Sequence, residues 1–303
     1  MKLSVFVVTY NQEKYIRQCL DGILMQKVDF DYEVVISEDH GTDDTRTICE
    51  EYARYFPQVR LLPLIDNLGI ARNWRRVLSE CNGEYIAMCE GDDYWTDPQK
   101  LQKQVNFLEE HKEFTICFHD VKVWKQNENV MVNDWIMKDV GCVTEIYDLA
   151  KSNYIYTLSV VFRNKPNILQ DFIKLDYDGI GNRLNDYPLW VICAQYGKIY
   201  KIKECMGVYR YGSGVWSANG TMVERSFIKV SMLSKLAFVI NDTTARKLIE
   251  EQVEDVVNYN CNMMEKLQND IAEIKRSKTY RLGALIAKPY TSIRTLIKKM
   301  HGK

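Results

Sequence analysis

Over about the first 120 residues of this 303-residue chain, two periodicities alternate, and that alternation limits the fold more than any other feature. The segments LSVFVVT (3–9), YEVVIS (32–37), VRLLPL (59–64) and EYIAMC (84–89) are short, nearly continuous apolar runs. Such runs suit strands buried on both faces. Between the first two, Ile16, Cys19, Leu20, Ile23 and Leu24 share one helical face. A helix through Ile48, Tyr52 and Tyr55 follows the second run, and ARNWRRVLSEC (71–81) reads as another. Asp97 is placed to cap, and Pro98 to open, a helix whose apolar stripe is Leu101, Val105 and Leu108. Strand and helix in strict alternation predict an α/β fold: a Rossmann-like, mostly parallel sheet flanked by helices.

The rest of the chain is less uniform. Residues 121–222 are rich in aromatics and Asn, with short β-like pieces such as TLSVVFR (157–163). They read as a second half packed on the first, with residues 223–303 as a C-terminal helical extension. Within 248–274, Val253, Val256, Val257, Asn260, Met263, Met264, Leu267, Ile271 and Ile274 follow roughly heptad spacing. That spacing fits packing against the body or a homodimer seam. After Glu273 there is no acidic residue, and Arg281, Lys288, Lys298 and Lys299 lie opposite an apolar arc of about 140°. A basic amphipathic helix over 276–303 suits the surface of an anionic membrane; a docked terminal helix with a solvated basic face is the plainer reading.

Bulk properties narrow the classes. A net charge of -1 gives no electrostatic case for nucleic acid. Nine cysteines without a C-x-x-C pair read as reduced thiols in a cytoplasm, not as a disulfide framework or zinc site. No apolar run is long enough to span a bilayer, and the N-terminus reads as a first strand. The expected location is cytoplasmic, peripheral on the inner face of the cytoplasmic membrane.

In parallel α/β sheets, ligands bind beyond the carboxyl ends of the strands. Four polar clusters fall there: Thr9-Tyr10-Asn11, then 38–43 (EDHGTD), then Asp66-Asn67-Leu68-Gly69, then Glu90-Gly91-Asp92-Asp93. Any one alone reads as a cap or solvated turn. Together on one sheet edge they predict a binding site. Crowded carboxylates repel one another, and a divalent cation that also holds a diphosphate relieves this. There is no P-loop and no G-x-G-x-x-G, so neither an NTPase nor a dinucleotide-dependent dehydrogenase is supported.

The order VVTYNQEKYIRQCLDGIL, ISEDHGTDDT, NLGIARNW and CEGDDYWTDPQKLQKQ resembles the family 2 glycosyltransferases, which have the GT-A fold. LNDYPLW (184–190) is similar to the family segment that carries the catalytic base, and VYRYGSGVWS (208–217) to the loop after it. The resemblance implies nucleotide contacts from Thr9, Tyr10, Asn11, Asp39, Asn67, Arg72 and Asp92. It implies Mn²⁺ or Mg²⁺ on Asp93 and Asp92, and a general base at Asp186. Trp190, Arg210, Trp216 and His119 are candidates for acceptor or sugar contacts, with packing roles as the alternative. Two departures stand out. Glu38 and His40 occupy unusual places in the second motif. Tyr211-Gly212 follows Tyr209-Arg210 where many members carry a histidine, leaving a third metal ligand to water.

The resemblance thus implies inverting, non-processive transfer from a nucleotide-diphosphate sugar, a UDP-sugar, to a lipid-linked or oligosaccharide acceptor in bacterial surface polysaccharide synthesis. Three other readings stay open: a sugar nucleotidyltransferase, a polyprenyl-phosphate glycosyltransferase, and a non-catalytic sugar-nucleotide-binding scaffold.

Overall fold

A computed structural model describes residues 1–133, 140–175, 185–213 and 221–276. Its centre is one ten-stranded sheet. The strands are β1 (Leu3–Thr9), β2 (Tyr32–Glu38), β3 (Val59–Leu61), β4 (Tyr85–Met88), β5 (Tyr94–Trp95), β6 (Phe114–Lys125), β7 (Val130–Asn133), β8 (Val143–Thr144), β9 (Val161–Arg163) and β10 (Lys198–Tyr211). Their main order is β3-β2-β1-β4-β9-β6-β10-β5, with β7 on β6 and β8 on β10. β3, β2, β1 and β4 run parallel, as the alternation requires. β9 enters antiparallel between β4 and β6. Beyond it β10 is again parallel to β6, so the sheet is mixed in its second part.

The helices are α1 (Ile16–Leu24), α2 (Thr45–Tyr55), α3 (Ile70–Glu80), α4 (Lys100–Glu110), α5 (Ile146–Leu149), α6 (Pro166–Lys174), α7 (Asp186–Ala194), α8 (Met222–Val239) and α9 (Thr243–Arg276). α1 buries Ile16, Cys19, Leu20 and Ile23, the face expected from their spacing. α4 starts two residues later than Pro98 suggests. Asp97 Oδ1 accepts the Gln99 N–H at 2.8 Å, and the turn 97–100 precedes the helix. α7 is buried from Tyr187 to Ala194, which explains why its sequence is apolar on every side.

The largest departure from the sequence reading is in 121–222. Instead of short irregular pieces, the sheet gains the 12-residue β6 and the 14-residue β10. Residues 201–205 (KIKEC) obscure β10, because shifts in register between Ile202 and Gly207 break the alternation of inward and outward side chains. All nine cysteines are free thiols. No helix among the described residues is long and apolar enough to cross a membrane. The chain divides into two compact units, Met1–Val253 and Glu254–Lys303. In the second, the described residues are the continuation of α9.

Candidate active site

The site is assembled at the carboxyl ends of β1, β2 and β4. Beyond β1, Thr9 is buried and its hydroxyl donates to Gln12 Oε1 at 2.7 Å. Tyr10 is exposed, and Asn11 adopts a positive φ of 51°. Asn11 Oδ1 accepts the Thr42 N–H at 2.7 Å, joining the loops after β1 and β2.

Beyond β2, the unusual Glu38 has a structural task. Its buried carboxylate accepts the N–H groups of Gly41 at 2.6 Å and His40 at 3.2 Å, closing the turn. A side chain at Gly41 would meet Asn11 Oδ1 and Glu38 Oε1, so only glycine fits. His40 takes a positive φ, 57°, and its Nδ1 lies 3.0 Å from the Ile65 carbonyl. Asp39 is buried, which raises its carboxyl above the usual range. Its Oδ1 accepts the Leu68 N–H at 2.8 Å, while Asn67 Nδ2 donates to the Asp39 carbonyl at 2.6 Å. The loop before α3 is therefore tied to the loop after β2. Arg72 is exposed in the first turn of α3.

The acidic turn follows β4. Gly91 packs so closely on Thr9 and Gln12 that a Cβ would lie 2.7 Å from Thr9 Oγ1. Asp92 and Asp93 are buried, and burial raises both carboxyls; the neighbouring Asp92 raises Asp93 further. Asp92 Oδ2 accepts the Ser213 hydroxyl at 2.9 Å. Asp93 Oδ1 accepts the Arg210 backbone N–H at 2.8 Å, and Asp93 Oδ2 is buried without a hydrogen-bond partner among the described residues. Glu90 is raised to about 8, first by burial and then by the charges of Asp92 and Asp186. Asp186, the first residue of α7, is thus within electrostatic reach of Glu90.

Asp186 is partly exposed, and burial raises its carboxyl. Asn153 Nδ2 donates to its Oδ2 at 3.3 Å. Neither the Asn153 contact nor the Ser213 contact is visible in sequence, since both partners are distant in the chain. The phenol of Tyr209, on β10, is pushed up first by burial and then by the charges of Asp93, Glu90, Asp92 and Asp186.

The other candidates fall in different places. Arg210 is buried, and its guanidinium donates to the Asp92 carbonyl and to Gln18 Oε1. It lies between the rings of Tyr15 and Tyr94, 4.8 and 4.7 Å from their centroids. It is an internal clamp on the acidic turn rather than a group presented to an acceptor. Trp190 is 0% exposed and packs against Phe162 in the core, so no face is open to a sugar. His119 is also 0% exposed, with Nδ1 2.8 Å from the Asp120 carbonyl and Nε2 unpartnered. Burial holds it well below the usual histidine value, hence neutral. Trp216 lies outside the described residues.

Two carboxylates with one orphaned oxygen suit a divalent cation that takes its other ligands from a diphosphate. No group of three or more His, Cys, Asp or Glu is placed to hold a metal among the described residues.

The "Glycosyl transferase family 2" profile matches residues 4–171, more than half the chain. The chain belongs to family 2 of the glycosyltransferases. The chain is 40% identical over 223 residues to an uncharacterised Mycobacterium tuberculosis protein, covering 71% of the chain and 60% of that relative. It thus spans about 60% of the length of the first curated relatives it matches. It is 31% identical over 175 residues to the Staphylococcus aureus poly(ribitol-phosphate) beta-N-acetylglucosaminyltransferase TarS, covering 56% of the chain and 29% of TarS. The solved structure of TarS residues 1–349 with UDP-GlcNAc aligns with a TM-score of 0.63 at 19% identity, over 84% of this chain and 72% of that one. A Pyrobaculum calidifontis mannosyltransferase in complex with GDP-Man and Mn²⁺ aligns at 0.56 and 14% identity, over 94% and 83%. These likenesses establish the GT-A fold.

Proposed function

We propose that this glycosyltransferase moves one sugar, with inversion, from a UDP-sugar to a hydroxyl of a lipid-linked or oligosaccharide acceptor in bacterial surface polysaccharide assembly. The observation that carries the reading is the buried pair Asp92 and Asp93 at the sheet edge, with Asp93 Oδ2 lacking a hydrogen-bond partner among the described residues. The donor class is supported by TarS, whose structures contain UDP and UDP-GlcNAc.

In this reading residues 1–120 hold the donor and 121–222 supply the base and the acceptor surface. Thr9, Tyr10, Asn11, Asp39, Asn67 and Arg72 surround the nucleoside and the diphosphate. Asp92 and Asp93 hold Mn²⁺ or Mg²⁺, which when bound supplies positive charge against the diphosphate. Asp186 accepts the proton of the acceptor hydroxyl as its oxygen bonds to the anomeric carbon. The bond from that carbon to the diphosphate oxygen breaks, and the nucleoside diphosphate leaves. Burial suits Asp186 to this task, because a carboxylate held above its usual value is the stronger base.

The C-terminal extension has two proposed partners. The basic sequence of 276–303 meets an anionic membrane surface, where a lipid-linked acceptor is presented. Val257, Met264, Leu267, Ile271 and Ile274, all exposed on α9 at heptad spacing, seat a second copy of the chain. Leu267→Glu is expected to shift the sedimentation-equilibrium mass to that of a monomer; a wild type that is already monomeric overturns the seam.

The test is a donor screen by thermal shift with and without Mn²⁺, followed by product analysis. Release of nucleoside diphosphate, abolished in Asp186→Asn with donor binding kept, supports transfer. Release of inorganic diphosphate indicates nucleotidyl transfer instead. Binding without turnover of any sugar indicates a scaffold. Near-normal turnover by Asp186→Asn rejects the base.

A further inference from the structure

The geometry points to Asn153 and Gln252 as positioning residues for Asp186, so that α9, beyond the matched family segment, completes the catalytic centre. This rests on the reading of Asp186 as the base. Asn153 Oδ1 accepts the Ile155 N–H at 3.1 Å, which fixes the orientation of the amide. Its Nδ2 is thereby turned to Asp186 Oδ2, 3.3 Å away. An amide N–H favours the ionised carboxylate and aims the oxygen that must take the proton.

The segment that carries Asn153 is itself pinned. α5 opens with a capping box between Glu145 and Asp148, so the two carbonyls at its end are fixed in direction. The Leu149 carbonyl accepts the Tyr187 hydroxyl at 2.6 Å. The Ala150 carbonyl accepts Gln252 Nε2 at 2.6 Å, and the same nitrogen lies 3.0 Å from the Tyr187 hydroxyl. Gln252 is 9% exposed. One amide from α9 therefore joins the residue after Asp186 to a carbonyl three residues before Asn153. The family profile ends at residue 171, before α7 and α9. Asp186 acts through space on Glu90, from the acidic turn, and on Tyr209, from β10. Its own carboxyl is raised by burial and lowered by the Tyr187 backbone N–H and then by Asn153, the side-chain donor among the described contacts.

The experiment uses the full chain with Mn²⁺ and UDP-GlcNAc, reading UDP release, with UDP binding measured separately by calorimetry. Asn153→Ala and Gln252→Met are made alone and on Asp186→Asn. Asn153→Ala is expected to lower kcat about tenfold, with donor KM and UDP affinity unchanged. Its acidic limb moves to higher pH, because the carboxylate loses a donor. Gln252→Met gives a smaller loss of the same kind. Neither adds to the residual rate of Asp186→Asn, because both act through that carboxylate. An equal loss on the Asp186→Asn background overturns the inference and leaves a merely structural role. So does an unchanged rate and pH profile in Asn153→Ala while Asp186→Asn is inactive. Near-normal turnover by Asp186→Asn rejects the parent reading instead. Where UDP-GlcNAc does not turn over, ¹³C NMR titration of the Asp186 carboxyl decides, since Asn153→Ala must raise its midpoint and an unmoved midpoint refutes the contact.

Discussion

Lys100 is 0% exposed, and its ammonium nitrogen has no hydrogen-bond partner among the described residues. It lies 4.0 Å from the centroid of the Trp95 ring. The nearby thiols Cys89 and Cys117 are pushed up by burial and stay protonated, so neither supplies an anion. Burial lowers Lys100 from 10.5 to about 7. The unfolded chain keeps the proton up to about 10.4, so between these values it binds more protons than the native state, and stability rises with pH. Below pH 7 both states are charged, and the native state carries the full cost, about 5 kcal/mol at 1.4 kcal/mol per pH unit. The Trp95 ring returns about 0.5–2 kcal/mol of that. Lys100→Met keeps the apolar stem and removes the charge. It is expected to stabilise the protein by about 3 kcal/mol at pH 6, falling to about 1 kcal/mol at pH 9.5. For a domain of this size that is about 6–12 °C in Tm at pH 6. Thermal and urea unfolding of both proteins across pH 6–9.5, in EDTA, reads the difference directly. A loss of stability at pH 6, or a gain that does not change with pH, refutes the argument and means that the ammonium has an anionic partner.

Three further outcomes follow from the site. Arg210→Met removes the guanidinium that holds Gln18 and the Asp92 carbonyl, and should cost about 3 kcal/mol of stability, read by urea unfolding, and weaken UDP binding, read by calorimetry. Gly91→Ala drives a Cβ into Thr9 and Gln12, so Mn²⁺-dependent UDP binding should be lost in a chain that still folds by circular dichroism. Truncation after Arg276 should abolish co-sedimentation with anionic vesicles and leave UDP affinity unchanged; unchanged partitioning would remove the tail from the membrane.

The chain shows where sequence reasoning has purchase. Apolar period gave β1 to β4 and the helices between them, because each is buried against a regular neighbour and its pattern has one cause. The same logic reached the acidic turn, since four polar clusters at equivalent strand ends have one common place in a parallel sheet. It did less well with β10, where bulges shift the side chains partway along and interleaved lysines and a glutamate resemble a loop. Aromatic chemistry also misled. Trp190 has the right residue type for a sugar platform, but its helix is apolar on all sides, and a helix of that kind goes to the core. Arg210 shows the limit more sharply. In sequence it is a cation after the motif loop, available to any anion. In the fold it is buried between two tyrosines, with its guanidinium donating to the Asp92 carbonyl and to Gln18.

The acidic turn can remain charged enough to act only if surrounding groups hold it in place at low cost, and those groups come from distant parts of the chain. Thr9 at the end of β1 and Gln12 in the loop after it meet Gly91, Ser213 bonds Asp92, and the Arg210 backbone N–H on β10 bonds Asp93. Each has a plain reason once the sheet order brings it there, and none follows from spacing along the chain. The carboxylates were legible because four polar clusters fall at equivalent strand ends of one sheet. Their supports were not, because glutamine, serine and asparagine are ordinary residues until a particular distance makes them partners. Asn153 and Gln252 belong to this second group, so variants there test whether the fold, and not only the motif, sets the strength and direction of the base.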